Sequence, residues 1–156
     1  MVPLVQFPAV VEHYAHFFEP VFSAEAFIRF KRYISGLLVA ENKTTSGINQ
    51  LFVSEKRAQS SLNRLLTCSP FSLIELNEAR LAMMASVPDA RIKPTKGVLS
   101  LDDTLLTHYG QEFEKIAQLW DHTNDRYAWA HNLVSLHYSD EQTDYPISFQ
   151  LGMGIK

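Results

Sequence analysis

At 156 residues, 46% apolar and 20% charged, the chain has the composition of one ordinary folded domain or two small ones. No apolar run approaches the roughly 20 residues that span a bilayer. The start, M-V-P-L-V-Q-F-P, lacks the basic region and cleavage site of a secretory leader. The lone Cys68 has no internal disulfide partner, so a reducing, cytoplasmic setting is expected. Net charge is only −3, but residues 1–96 hold eleven basic against eight acidic residues, and residues 97–156 hold three against nine. A mildly basic front can face a polyanion and an acidic back needs cations or solvent, although ordinary fluctuation of surface charge gives the same numbers.

Phe7 to Phe18 sets Val10, Val11, Tyr14, Phe17 and Phe18 at helical spacing, with Pro8 suited to the first turn and Pro20 to a stop. Ser23 is placed to cap a second helix. Its apolar stripe is Phe27, Phe30, Ile34, Leu37 and Leu38, which leaves Arg29, Lys31 and Arg32 largely off the stripe. Residues 41–47, E-N-K-T-T-S-G, read as a polar turn.

Two short helical patterns follow between Thr44 and Thr67, one carrying Ile48, Leu51 and Phe52, the other Ala58, Leu62, Leu65 and Leu66, with V-S-E-K between them. That spacing suits a helix-turn-helix. The outer face of its second helix would show Arg57, Gln59, Ser60, Ser61, Asn63 and Arg64, side chains that reach phosphates and base edges with no acid among them. A plain helical hairpin with a polar outer face has the same pattern. Ser72 and Glu75 then form a capping box, with Phe71 set to staple onto Leu76, for a helix expected to reach about Val87. Residues 89–96, D-A-R-I-K-P-T-K, make the best domain boundary.

The stretch that organises the rest is Gly97–Gly110, G-V-L-S-L-D-D-T-L-L-T-H-Y-G. Val98 to Leu101 has the pattern of a strand buried on both faces, which would put Asp102 and Asp103 at its carboxyl end, where open α/β sheets place ligand-binding residues. Adjacent strand residues face opposite sides, so only one acid can aim at a given site. A metal-binding carboxylate and a solvated strand end with a capped turn both fit. Tyr109 to Gln118 is helix or irregular loop. Arg126–Tyr138 and Tyr145–Leu151 are β-prone, and S-D-E-Q-T-D between them makes the pair a hairpin. Helices followed by strands give an α+β chain. Of the later histidines, His108, His122, His131 and His137, no pair has zinc-site helical spacing, and on a strand His131 and His137 would share a face.

S-L-D-D-T-L resembles the haloacid dehalogenase signature D-x-D-x-T-L, but Ser100 stands where the nucleophilic Asp belongs, with Asp102 and Thr104 following. Serine does not simply replace the carboxylate that forms that family's phosphoryl-enzyme.

The longer stretch G-V-L-S-L-D-D-T-L-L-T-H-Y-G-Q, with K-I-A-Q-L-W-D-H-T, R-Y-A-W-A-H-N-L-V-S-L-H-Y, G-I-N-Q-L-F-V and Q-S-S-L-N-R-L-L, resembles the amino-terminal portion of a bacterial insertion-sequence transposase of the DDE, ribonuclease H-like type. The resemblance runs from Phe7 to about Leu151. It implies a helical DNA-binding domain over residues 1–93 and the first three strands of a ribonuclease H-like α/β domain, incomplete, over residues 94–156. It also implies Asp103, with Asp102 in reserve, as the first catalytic and metal-holding acid for Mg²⁺. Transposon-end double-stranded DNA would be the partner, contacted through Arg57, Gln59, Ser60, Asn63 and Arg64. A homodimer or a full-length transposase is a further partner, and the bacterial nucleoid the place of action. The family's second Asp and its Glu have no counterpart at the expected positions, so a truncated transposase that binds DNA without strand transfer is expected. A non-catalytic regulator of transposition is the alternative, with a phosphatase relative behind it.

Overall fold

The computed structural model describes residues 3–53, 58, 60–112 and 114–152. Five helices, α1 (Ala9–Phe18), α2 (Ala24–Val39), α3 (Thr45–Leu51), α4 (Ser60–Thr67) and α5 (Leu73–Ser86), precede four strands, β1 (Val98–Thr107), β2 (Ala117–Asp121), β3 (Arg126–Ser139) and β4 (Asp144–Leu151). This is the α+β order expected. The chain divides into two compact units, Met1–Met84 and Ala85–Lys156, and the division falls within α5.

Capping side chains start α2, α3 and α5. Ser23 Oγ accepts from the Ala26 amide at 3.4 Å, Thr44 Oγ1 from Gly47 at 3.1 Å, and Ser72 Oγ from Glu75 at 3.2 Å. Each satisfies an amide that the first helical turn leaves without a carbonyl. α1 ends in a 3-10 turn, Glu19–Val21, built around Pro20. The helices close on two apolar clusters. One joins Ala40, Ile48, Leu51, Phe52 and Leu62, and the other gathers Phe18, Phe30 and Phe71 around Phe22, Ala26 and Leu65. The amino-terminal segment is tied to the end of α3 by Leu4, whose amide donates to Leu51 O at 2.7 Å and whose carbonyl accepts from Val53 at 3.1 Å.

α2 departs from its sequence pattern. Its buried residues are Ala26, Arg32, Ser35 and Gly36, while Leu37 and Leu38 of the expected stripe are exposed. The close approach of α3 explains this. A Cβ on Gly36 would overlap the fully buried Ile48, so the helices meet where α2 has no side chain. Arg32 can be buried there because its guanidinium lies 4.1 Å from the Phe52 ring centroid and its Nη2 is 3.5 Å from Asn49 Oδ1.

In the second unit the sheet is antiparallel throughout. β3 pairs with β1 along one edge (Asp102 opposite Ser135, Asp103 opposite Val134) and with β2 and β4 along the other, β2 opposite residues 126–130 and β4 opposite 133–139. β2 is not among the three strands expected, and only its first two residues, Ala117 and Gln118, fall in the stretch read as helix or loop. The strand patterns at 126–138 and 145–151 coincide with β3 and β4 to within one residue. At Leu136/His137 the β4 register shifts. Pro146, which has no amide to give, sits at this irregularity on an edge strand.

β1 is not the doubly covered strand that its apolar run suggests. It runs on through both acids to Thr107, and Val98, Leu99 and Leu101 are exposed. Among the described residues it pairs on one edge only, and runs of Leu and Val cannot report whether a second layer covers them.

Residues 93–97 are fastened to the sheet end. The Lys93 amide donates to Tyr138 Oη at 2.8 Å, that hydroxyl donates to Asp140 Oδ2 at 2.9 Å, and the Lys93 ammonium lies 3.3 Å from the same carboxylate. Asp140 also accepts from the amides of Gln142 and Thr143 at 2.8 and 2.9 Å, closing the β3–β4 turn.

Two outcomes are expected. Gly36→Ala gains about 1 kcal/mol of helix propensity but overpacks a site with no room, at about 1–3 kcal/mol, so urea denaturation should show a net loss, and the same change should cost less when made in an Ile48→Ala background. The amides of Gln142 and Thr143, the Tyr138 hydroxyl and Lys93 hold the Asp140 carboxyl down to about 2 from its ordinary 3.8. A lowered folded-state pKa stabilises above the ordinary value, and that contribution disappears as pH falls through the folded one. Thermal unfolding of the wild type between about pH 4 and 2 should therefore fall more steeply than that of Asp140→Asn.

Candidate functional site

α4 has eight residues, too few to be stable alone, and is held by Leu62 and Leu65, both buried and worth about 1.5–3 kcal/mol each. Their spacing turns the opposite side outward. Ser60, Asn63 and Arg64 are exposed there. Ser61 is partly buried and its Oγ accepts from Arg29 Nε at 3.2 Å, so it serves packing against α2. Arg57 and Gln59 of the expected DNA-contacting set lie outside the described residues.

The cations of α2 are engaged within the unit. Arg29 pairs with Glu25 in addition to Ser61. Lys31 Nζ lies 3.0 Å from Glu12 and 4.5 Å from the centroid of Phe7. Arg32 is buried beside a cavity of about 400 Å³ that Phe7, Glu12 and Phe52 also line. Sequence periodicity missed Arg32, because burial of a charge here depends on a ring from another helix.

In the sheet unit Asp102 and Asp103 sit mid-strand on β1, both exposed, and point to opposite faces. The cross-strand register puts Asp103 on the face with Leu101, Leu105 and Val134, and Asp102 on the face with Ser100, Thr104 and Ser135. The dehalogenase-like residues Ser100, Asp102 and Thr104 therefore share one exposed face of an edge strand.

The sheet also joins histidines that are far apart in sequence. His131 Nδ1 is 2.9 Å from His108 Nε2, and His137 Nδ1 is 3.6 Å from Asp144 Oδ1. Local spacing could not have shown the first pair; only the β1–β3 register brings it together. Asp121, buried at the β2–β3 turn, has its carboxyl lowered by the Asn124 side chain and the amides of Thr123 and Asn124 against the opposing effect of burial, and its role is to shape that turn.

The magnesium ions implied by the sequence resemblance need several oxygen ligands around one point. Among the described residues no three His, Cys, Asp or Glu side chains are grouped to hold a metal ion, and the two β1 acids diverge. The described residues do not by themselves fit a two-metal centre. None of the described helices is long and apolar enough to cross a membrane.

Comparison with curated proteins and with solved structures gave no match. The family described as DDE superfamily endonuclease matches residues 17–153, which takes in α2 to α5 and the whole sheet. With most of its length so matched, the chain belongs to the DDE superfamily endonucleases, as a DDE-type, transposase-like protein.

Proposed function

We propose that this chain binds double-stranded DNA at transposon ends through the exposed face of α4, and that by itself it does not cut DNA. The observation that carries the first half is the placement of Ser60, Asn63 and Arg64 on the outward side of a helix anchored by Leu62 and Leu65. Arginine and asparagine are the side chains that pair with phosphates and with guanine or adenine edges, and the exposed side of α4 has no carboxylate to repel them. Family membership supports DNA as the substrate class.

The second half rests on the acids. Asp103 is the family's first catalytic carboxylate in this reading, with Asp102 next to it. A phosphodiester displacement assisted by two metals needs carboxylates converging on both ions. One exposed carboxylate per face of β1 does not supply that convergence. In this reading a helical domain over residues 1–93 would hold the DNA, and residues 94–156 would be the first strands of a ribonuclease H-like sheet.

Binding to transposon-end duplex, followed by fluorescence anisotropy over a salt series, is expected to weaken as salt rises. Arg64→Ala should reduce the slope of log K against log salt by about one unit, and Arg57→Ala in the same chain by about another. Binding indifferent to salt and to both changes would reject α4 as the contact. Incubation of the pure chain with supercoiled DNA and Mg²⁺ is expected to give no nicking. Nicking that disappears in Asp103→Asn would reject the second half while leaving the first standing.

A further inference from the structure

We infer that Arg29 of α2 is a positioning residue for DNA recognition: through Ser61 it fixes the rotation of α4 about its own axis, and with it the aim of Ser60, Asn63 and Arg64. The inference rests on the reading of α4 as the DNA-contacting helix.

Successive residues of a helix are turned by about 100°. Leu62 and Leu65 project from one side of α4 and are buried, Leu62 in the cluster with Ile48 and Leu51, Leu65 in the cluster with Phe22 and Ala26. Ser60, Asn63 and Arg64 project from the opposite side and are exposed. Ser61 lies between the two sides on one flank and is partly buried, while Leu66 on the other flank is exposed. The buried leucines keep α4 on the unit but constrain its rotation weakly, because apolar burial is not directional. A hydrogen bond on the flank is directional and opposes a roll of the helix.

Arg29 makes that flank contact. Its Nε donates to Ser61 Oγ at 3.2 Å, and its Nη2 pairs with Glu25 Oε1 one turn back on α2. The guanidinium is thus held at two nitrogens, and the Arg29 side chain is only 12% exposed against 68% for Glu25. A planar fork held by its own helix gives a fixed direction to the bond it makes to the next one. An arginine enclosed in this way is badly placed to meet a phosphate and well placed to hold α4.

Aim matters most at the rim of the helix. An α-helix with its side chains is about 10–12 Å across, so a roll of about 20° carries a rim group through about 2 Å. A hydrogen bond to a base edge tolerates about half an ångström, whereas the attraction of a cation to a phosphate falls off gently with distance. Loss of the Arg29–Ser61 bond should therefore weaken the contacts that read sequence more than those that meet the backbone.

The test compares fluorescence anisotropy of the full chain on transposon-end duplex and on a duplex of scrambled sequence, over a salt series. Ser61→Ala is expected to lower the ratio of the two affinities about three- to tenfold, the net contribution of one hydrogen bond, with the salt slope unchanged. Arg29→Ala should do the same, again without a change of slope, and the double variant should be no worse than either single one. Ser61→Thr keeps the hydroxyl and should restore the ratio. A smaller folded fraction lowers both affinities equally and leaves their ratio intact, so a merely structural role would not move this readout. An unchanged ratio, losses that add in the double variant, or a slope that falls by about one in Arg29→Ala would each overturn the positioning role. Arg64→Ala binding as wild type does would reject the α4 reading and this inference with it, whereas an Arg64 effect without a Ser61 effect would reject the inference alone.

Discussion

β3 is hydrogen-bonded along both edges, to β1 on one side and to β2 and β4 on the other, and the placement of every functional candidate in the second unit follows from its register. Side chains alternate between faces with a period of two, so a slip of one residue would exchange the faces of Asp102 and Asp103 and separate His108 from His131. Both ends of β3 are fixed by an aspartate. Asp121 accepts from the amides of Thr123 and Asn124 before the strand, and Asp140 from those of Gln142 and Thr143 after it. Turn chemistry thus sets the hairpins, and fully buried Ala130 leaves room where β1 and β2 both reach the strand. The carboxyls at both turns are lowered for the same reason, amide and side-chain donors aimed at the charged form.

The exposure of β1 gives its two acids a physical role that needs no metal. An edge strand of exposed Val and Leu is a template for pairing with another chain, and charges in its middle oppose that. Were two copies of β1 to pair antiparallel about their centres, Asp102 of one would lie opposite Asp103 of the other, and like charges directly opposite are unfavourable. β4, the other edge beside residues 133–139, is protected by different means, Pro146 and the register shift. The proposed catalytic role and edge protection call for the same residues at the same place.

Features whose physics is local were legible in the sequence. Ser23, Ser72 and the polar stretch before Thr45 mark helix starts because a cap needs only its own first turn, and the aromatic and β-branched residues of 126–138 mark a strand because propensity needs no partner. The misread features depend on what another element brings. Arg32 is buried because Phe52 and Asn49 receive it, and Leu37 and Leu38 are exposed because Gly36 rather than the Leu stripe meets Ile48. β1 looked internal since its residue types are those of internal strands. The His108–His131 contact spans 23 positions and exists only through strand pairing.

The same dependence bears on how the front of the chain can meet DNA. Counting charges over residues 1–96 gives a surplus of three, yet Arg29, Lys31 and Arg32 are held by Glu25, Glu12 and the Phe52 ring. A guanidinium stacked in a core or a lysine paired beside an aromatic ring releases few counterions on binding DNA. Salt dependence follows the number of phosphates neutralised, and proteins with 6–10 such contacts lose about 10³–10⁵ in affinity between 50 and 200 mM salt. A footprint centred on α4, with Arg64 as its described cation, makes far fewer. On the proposed binding mode the helical unit alone should hold DNA with a shallow salt dependence, and a tight complex would draw on cations beyond α4.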